Sequence, residues 1–179
     1  MSVCNPYPRE LETVEHTRDG VTVSVRPLRP EDEPLLHDLA AHMSREDLRL
    51  RFFIPMRGLT HELGARLSQL DYDHEMGLIA EHDGVALGVA HFFAEPDKKS
   101  AEYAIALRSD WKAHGVGYTL MTRLIEIAAE RGIGEMTGLV LRENHAMLEM
   151  CRTLGFIITS DPTDASLVRV CKPLLPSNG

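Results

Sequence analysis

The most constraining feature of this sequence is a strand pattern followed by a glycine-containing loop and an apolar helix. Residues 101–108 read as a strand, Gly115 and Gly117 lie in the loop, and residues 117–131 carry apolar side chains at helical spacing. Backbone N–H groups at the start of a helix are unpaired, and the helix dipole adds positive potential there. The segment predicts a site for an anion such as a pyrophosphate, although the same glycines also suit a tight strand-to-helix turn.

Other common ligand motifs do not fit the chain. No Gly-Lys-Ser/Thr follows the loop, and Leu120 stands where a dinucleotide fingerprint needs its third glycine. The pairs His61-Glu62 and His74-Glu75 each lack the second histidine of a His-Glu-x-x-His motif. We therefore expect neither a P-loop nor a metal site.

Strand and helix patterns are interleaved along the rest of the chain. A hairpin is predicted at Asp83-Gly84, and Ser44, with Asp47 three residues on, marks one helix start. Strands are predicted at residues 21–26, 76–81, 85–93, 101–108, 136–141, 156–159 and 167–171, and helices at residues 31–43, from 44, 60–70, 117–131 and 144–154. This order predicts an α/β (α+β) fold, in which helices cover both faces of a mixed sheet. The predicted divisions are an N-terminal arm (1–20), one domain (21–175) and a tail (176–179).

Charge and composition limit the classes of binding partner that we expect. The 179-residue chain has a formal net charge of −8, whereas a nucleic-acid-binding domain is basic. No apolar run approaches the ~20 residues of a membrane span, and residues 1–10 lack the pattern of a secretory signal. The three cysteines, Cys4, Cys151 and Cys171, are too widely spaced for a disulfide framework or zinc ribbon. We expect a cytoplasmic protein that binds neither nucleic acid nor membranes.

Two segments resemble the GNAT family of acyl-CoA-dependent N-acetyltransferases. Residues 112–117 fit the family's Gln/Arg-x-x-Gly-x-Gly/Ala loop except at Lys112, and Asn144 opens a helix that ends in Leu-Gly-Phe at residues 154–156. Residues 25–34, 50–53 and 70–76 further resemble the acetyltransferase domain of bacterial protein lysine acetyltransferases, which modify acetyl-CoA synthetase. The resemblance covers about residues 10–173 and implies a mostly antiparallel central sheet.

The resemblance also implies where acetyl-CoA, the acyl donor, would bind. Amides of residues 114–118 would hold the pyrophosphate, residues 106–107 would pair with the pantetheine arm, and an asparagine would contact the coenzyme along the same cleft. The implied coenzyme-binding residues are Ala106, Leu107, Lys112, Ala113, His114, Gly115, Val116, Gly117, Tyr118 and Asn144. Lys112 replaces the usual Gln/Arg with a point charge, and His114 replaces a cation with a group that is often neutral.

Acyl transfer to an amine requires a proton acceptor. A lysine has a pKa of ~10.4, so forming the neutral nucleophile at pH 7 costs roughly 4–5 kcal/mol. Glu102 begins an apolar strand beside the predicted pantetheine segment, and burial there would raise its pKa towards that of a useful base. The resemblance implies the same role; the residues alone favour a strand-end glutamate that faces solvent or pairs with Lys98 or Lys99.

Cys151 is the second catalytic candidate. It stands where many GNAT enzymes carry a tyrosine that protonates the leaving thiolate, and a thiol of pKa ~8.5 can donate a proton. Its apolar neighbours Leu148 and Leu154 favour inert packing instead. Residues 51–53 (Arg-Phe-Phe) are interpreted as an anchor of the second helix rather than as part of an acceptor cleft.

Three functional hypotheses follow. The first is acetyl transfer to a lysine-bearing protein by direct attack in a ternary complex. The second uses the same chemistry on a small amine such as a polyamine, an amino acid or a drug. The third is a non-catalytic acyl-CoA sensor. The oligomeric state stays open.

Overall fold

The fold is built on one eight-stranded sheet. The computed structural model describes residues 5–53 and 56–174. Strand order is β1-β2-β3-β4-β5-β6-β8-β7, and every neighbouring pair is antiparallel except β5 and β6. The strands are β1 (Thr13–His16), β2 (Thr22–Pro27), β3 (Glu75–His82), β4 (Val85–Ala94), β5 (Ser100–Leu107), β6 (Glu135–Leu141), β7 (Ile157–Ser160) and β8 (Leu167–Pro173).

Helices cover both faces of this sheet, as the sequence predicts. They are α1 (Glu33–Ala41), α2 (Arg45–Phe52), α3 (His61–Ser68), α4 (Val116–Glu130) and α5 (His145–Thr153). On β4, His91 donates from Nε2 to the carbonyl of Leu67 in α3 at 3.0 Å. A Cβ built on Gly88 would lie 3.1 Å from Leu120 in α4. Residues 88 and 91 point to opposite faces because strand side chains alternate.

Local signals explain several element boundaries. The Ser44 hydroxyl accepts from the N–H of Asp47 at 3.0 Å, and the Thr60 hydroxyl accepts from the N–H of Leu63 at 3.2 Å. Both bonds cap otherwise unpaired N–H groups at helix starts. Gly155 follows Leu154, the C-cap of α5, and has a φ of 85°, a left-handed conformation that glycine adopts without steric cost.

The N-terminal region differs from the predicted arm. Strand β1 lies within it and pairs with β2 from Thr13 opposite Val25 to His16 opposite Thr22. Half-buried and exposed residues alternate along β1, but the half-buried ones are not apolar. The sequence therefore did not predict this strand. Residues 1–4 of the arm, residue 175 and the predicted tail lie outside the described residues.

The helices are short or amphipathic. Among residues 5–53 and 56–174, no helix combines the length and the apolar character that crossing a membrane requires.

Candidate active site

The site forms where β5 and β6 separate. These parallel strands pair only from Ser100 opposite Glu135 to Glu102 opposite Thr137. Just beyond, the Tyr103 ring packs against β6: a Cβ built on Gly138 would lie 2.5 Å from Cε1 of that ring. Residues 103–107 therefore pair with β4 alone, and a cavity of about 500 Å³ opens beside them.

Most of the predicted site residues line this cavity. They are Glu102, Ala106, Leu107, Lys112, Ala113, Gly115, Gly117, Tyr118 and Asn144. The lining does not include His114, Val116 or Cys151. Val116 is 1% exposed and belongs to the hydrophobic core, so only its backbone is available to a ligand.

The start of α4 offers unpaired donors to the cavity. Gly115, the N-cap, has a φ of 87° and provides no side-chain cap. The first paired amide is that of Thr119, which donates to the Gly115 carbonyl at 3.1 Å. Within the described chain, the N–H groups of residues 116–118 have no hydrogen-bond acceptor. These donors and the helix dipole together favour an anion here.

The two unusual residues of the predicted coenzyme loop are both engaged by carboxylates. Lys112 donates from Nζ to Oδ1 of Asp47 at 2.7 Å. His114 lies 3.1 Å from Asp19 through Nδ1, and its ring packs against Trp111. His114 thus contacts the β1–β2 turn instead of lining the cavity.

Asp47 is a cavity residue that sequence reasoning interpreted only as part of a helix cap. Its side chain, 13% exposed, accepts from Ser109 and Lys112 in the segment after β5. Partial burial works to raise its pKa, but these hydrogen bonds hold the pKa of Asp47 below its usual range. No local pattern could reveal a contact between residues this far apart in the chain.

Glu102 lies at the end of the cavity opposite to α4. Its carboxylate is exposed, and its cross-strand partner is Phe93 on β4. Arg51 of α2 also lines the cavity, as does Phe53, so the Arg-Phe-Phe segment does not serve only as an anchor. Burial lowers the pKa of Arg51 to about 10, and the nearby charge of Glu102 opposes that shift. Arg51 therefore stays cationic at neutral pH.

Cys151 is 1% exposed and lies within hydrogen-bond distance of Tyr103, whose Oη is 3.2 Å from Sγ. Burial raises the pKa of the Cys151 thiol, although Tyr103 and Arg152 oppose the shift. Burial, helped by Cys151, likewise raises the pKa of Tyr103 well above its usual value. Both groups are therefore protonated at neutral pH.

Asn144 both caps helix α5 and lines the cavity. Its Oδ1 caps α5 by accepting from the N–H of Met147 at 3.3 Å. The residue also lines the cavity. Capping fixes the orientation of the side chain and leaves its amide N–H groups available to a ligand.

One cluster of possible metal ligands lies elsewhere. Donor atoms of Glu33, His37 and His61 lie within 4.8 Å of one another, a grouping that their spacing in the sequence did not predict. None of the three lines the cavity.

Comparison with known proteins gives a consistent result. The sequence model of the acetyltransferase (GNAT) family matches residues 42–156. Acetyltransferase PA5475 of Pseudomonas aeruginosa is 29% identical over 159 residues, covering 87% of this chain and 86% of its own length. The L-amino acid N-acyltransferase MnaT of Escherichia coli is 29% identical over 87 residues, covering 46% of this chain and 51% of its own length.

Solved structures share the fold. The GNAT domain of S. lividans PAT superposes with a TM-score of 0.88 at 25% identity, covering 94% of this chain and 99% of that one. The yncA acetyltransferase from Salmonella typhimurium, solved with its cofactor acetyl-CoA, has a TM-score of 0.69 at 18% identity, covering 88% and 96% of the two chains. The chain therefore belongs to the GNAT family, and it is an N-acetyltransferase that takes its acyl group from acetyl-CoA.

Proposed function

We propose that this enzyme acetylates lysine side chains of proteins by direct transfer, with Glu102 as the general base. The observation that carries the proposal is the position of Glu102. It lies at the last β5–β6 pair and lines the cavity beside the unpaired edge of β5. A base at this point is next to the strand along which the thioester arm would run.

The coenzyme orientation follows from the donors along the cavity. Amides of residues 116–118 bind the pyrophosphate at the start of α4. From there the pantetheine arm extends along residues 106–107, whose backbone groups facing β6 have no strand partner. This path brings the thioester towards Glu102.

The transfer step uses groups that the chain already holds. The Glu102 carboxylate takes a proton from the ammonium group, and the amine nitrogen attacks the thioester carbonyl. The C–S bond then breaks while the nitrogen loses its second proton to water, and the thiolate of CoA leaves and is protonated from solvent. We assign Cys151 no step in the transfer, because its thiol is hydrogen-bonded to Tyr103 and lies outside the cavity lining.

Two carboxylates that line the cavity support a cationic substrate. Glu102 and Glu149 both line the cavity and are exposed, and the whole chain carries a net charge of −8. The resemblance to bacterial protein lysine acetyltransferases and the structural likeness to the GNAT domain of PAT support the same substrate class.

A small amine that carries a carboxylate is the second candidate. Arg51 lines the same end of the cavity as Glu102, and no carboxylate of the described residues forms a salt bridge with it. An amino acid would place its amine at Glu102 and its carboxylate at Arg51. The partial similarity to MnaT, named an L-amino acid N-acyltransferase, agrees with this candidate.

Free thiols support a cytoplasmic location. Cys151 and Cys171 are both unpaired. Such cysteines are typical of a reducing compartment, where disulfides are rare. We propose the cytoplasm on this ground, and microscopy of the tagged protein in a host cell checks it.

An acceptor panel with acetyl-CoA tests the proposal. CoA thiol release is measured with lysine-bearing proteins, polyamines and free amino acids, for the unaltered chain, for Glu102→Gln and for a control, Glu130→Gln. Glu130 is exposed at the far end of α4. We expect turnover on proteins to fall about 100-fold or more in Glu102→Gln alone, with unchanged CoA affinity. Equal turnover in all three proteins would remove Glu102 as the base, and transfer only to amino acids would favour the second candidate.

A further inference from the structure

Arg18 is a cation that reaches the cavity from a distant part of the chain. It belongs to the turn between β1 and β2, within the region predicted as an arm. The residue is exposed, and it lines the cavity together with Gly115, Gly117 and Tyr118 at the start of α4. The turn thus extends the cavity wall beside the unpaired amides.

The turn that carries Arg18 is held in a defined conformation. Thr17 donates its N–H to the Val21 carbonyl at 2.9 Å, and Gly20 donates to the Thr17 carbonyl at 2.8 Å. The neighbouring Asp19 contacts His114 at 3.1 Å, which ties the turn to the loop before α4. These contacts fix the backbone position from which the Arg18 side chain extends.

Gly115 allows the turn to approach the helix. A Cβ built on this glycine would lie 3.1 Å from Cγ of Arg18, 3.3 Å from its backbone nitrogen and 3.5 Å from Cβ of Thr17. The position therefore needs glycine for close packing as well as for its φ of 87°. The stem of Arg18 lies directly against the first turn of α4.

Arg18 differs in its pairing from the other basic groups at this end. The Lys112 ammonium group forms a salt bridge with Asp47, and Nδ1 of His114 lies within hydrogen-bond distance of the Asp19 carboxylate. Across residues 5–53 and 56–174, Arg18 has neither a salt bridge nor a side-chain hydrogen bond. Its guanidinium is thus available to an external anion, and this group binds phosphate oxygens through two parallel donors.

We propose that Arg18 binds a phosphate of coenzyme A, either the pyrophosphate or the 3′-phosphate, and so replaces the cation that His114 does not supply. The inference rests on the proposed coenzyme orientation and adds the β1–β2 turn to the site. The helix amides contribute only partial charges, whereas Arg18 contributes a full charge next to them.

Calorimetry with CoA and with 3′-dephospho-CoA tests the assignment. The proteins are the unaltered chain, Arg18→Ala, Arg18→Lys and Arg9→Ala. Arg9 is exposed and lies outside the cavity lining, so its variant removes the same charge away from the site. We expect Arg18→Ala to weaken CoA about tenfold, Arg18→Lys to weaken it less, and Arg9→Ala to bind normally.

The two ligands identify the phosphate. A loss seen with CoA but not with dephospho-CoA assigns Arg18 to the 3′-phosphate, and an equal loss with both assigns it to the pyrophosphate. Normal CoA affinity in Arg18→Ala, with binding intact in the unaltered chain, would overturn the inference and leave the proposed function standing. Absence of CoA binding by the unaltered chain would instead overturn both.

Discussion

The Nζ of Lys112 donates a hydrogen bond of 2.7 Å to Oδ1 of Asp47, and both residues line the coenzyme cavity. Ser109 donates its hydroxyl to the other carboxylate oxygen and accepts from the N–H of Ser44 at 2.7 Å. This network joins the start of α2 to the segment that leads into α4. It also neutralises the lysine that the sequence assigned to phosphate binding.

Replacing Asp47 with asparagine is expected to tighten CoA binding about threefold. The amide still accepts from Ser109 but carries no charge, so Lys112 becomes available to a phosphate. Lys112 is partly exposed, so its ion pair with Asp47 is worth about 1 kcal/mol, which limits the gain to roughly fivefold. Calorimetric titration with CoA measures the change.

The matched control for this variant is Asp97→Asn. Asp97 lies in the turn between β4 and β5, away from the cavity lining, and its loss changes the net charge equally. We expect unchanged affinity there. Weaker CoA binding in Asp47→Asn would show instead that Asp47 holds Lys112 in its phosphate-binding position.

Gly115→Ala is expected to weaken CoA binding at least tenfold and to destabilise the fold by about 1–2 kcal/mol. The new methyl group would lie 3.1 Å from Cγ and 3.3 Å from the backbone nitrogen of Arg18, so the turn or the start of α4 has to shift by a few tenths of an ångström. CoA titration and chemical denaturation measure the two effects separately.

A variant of Gly132, at the other end of α4, separates the effect of backbone strain from the effect of the close contact with Arg18. It has a φ of 77°, and a Cβ there would meet nothing within 4 Å. Gly132→Ala should therefore lose similar stability while binding CoA normally. If both variants bind CoA equally well, the close approach of Arg18 to Gly115 has no role in coenzyme binding.

The sequence predicts those features of the fold that depend on residues close together in the chain. The cap at Asn144, the glycine at 155 and the hairpin at Asp83-Gly84 depend on groups within a few positions of one another, so local patterns suffice. The GNAT resemblance has the same basis, because its loop and its Leu-Gly-Phe ending are each contiguous.

Contacts between distant segments could not be predicted in this way. Arg18 meets Gly115, and Asp47 meets Lys112, only after the sheet has brought their segments together. Strand β1 was missed because an edge strand with few buried side chains has no strong alternation. The unpredicted parts of the site therefore depend on packing.

Cys151→Ala is expected to retain turnover within about threefold of the unaltered chain. The thiol is buried against Tyr103, so its loss costs packing, about 1 kcal/mol of stability, rather than a proton donor. Thiol release at saturating acetyl-CoA and acceptor gives kcat, and denaturation gives the stability. A loss of tenfold or more in kcat with the fold intact would make Cys151 the general acid.

His91 makes stability depend on pH. It is 1% exposed, and burial lowers its pKa from 6.5 to about 4; Arg51 and Arg66 add to the shift, and the bond to Leu67 opposes it. Between these two values the unfolded chain binds a proton that the folded chain does not. The free energy of unfolding should therefore fall as pH drops from about 6.5 to 4, by up to about 3 kcal/mol.

Denaturation curves at pH 7, 5.5 and 4.5 measure this dependence in the unaltered chain, in His91→Gln and in His16→Gln. His16 is exposed on β1 and serves as the control. His91→Gln loses stability at pH 7, because it disturbs the packing against α3, but its further decline towards pH 4.5 should be smaller by most of the His91 contribution. An equally steep decline in all three proteins would mean that His91 titrates alike in the folded and unfolded chains, and would contradict its burial as a neutral group against α3.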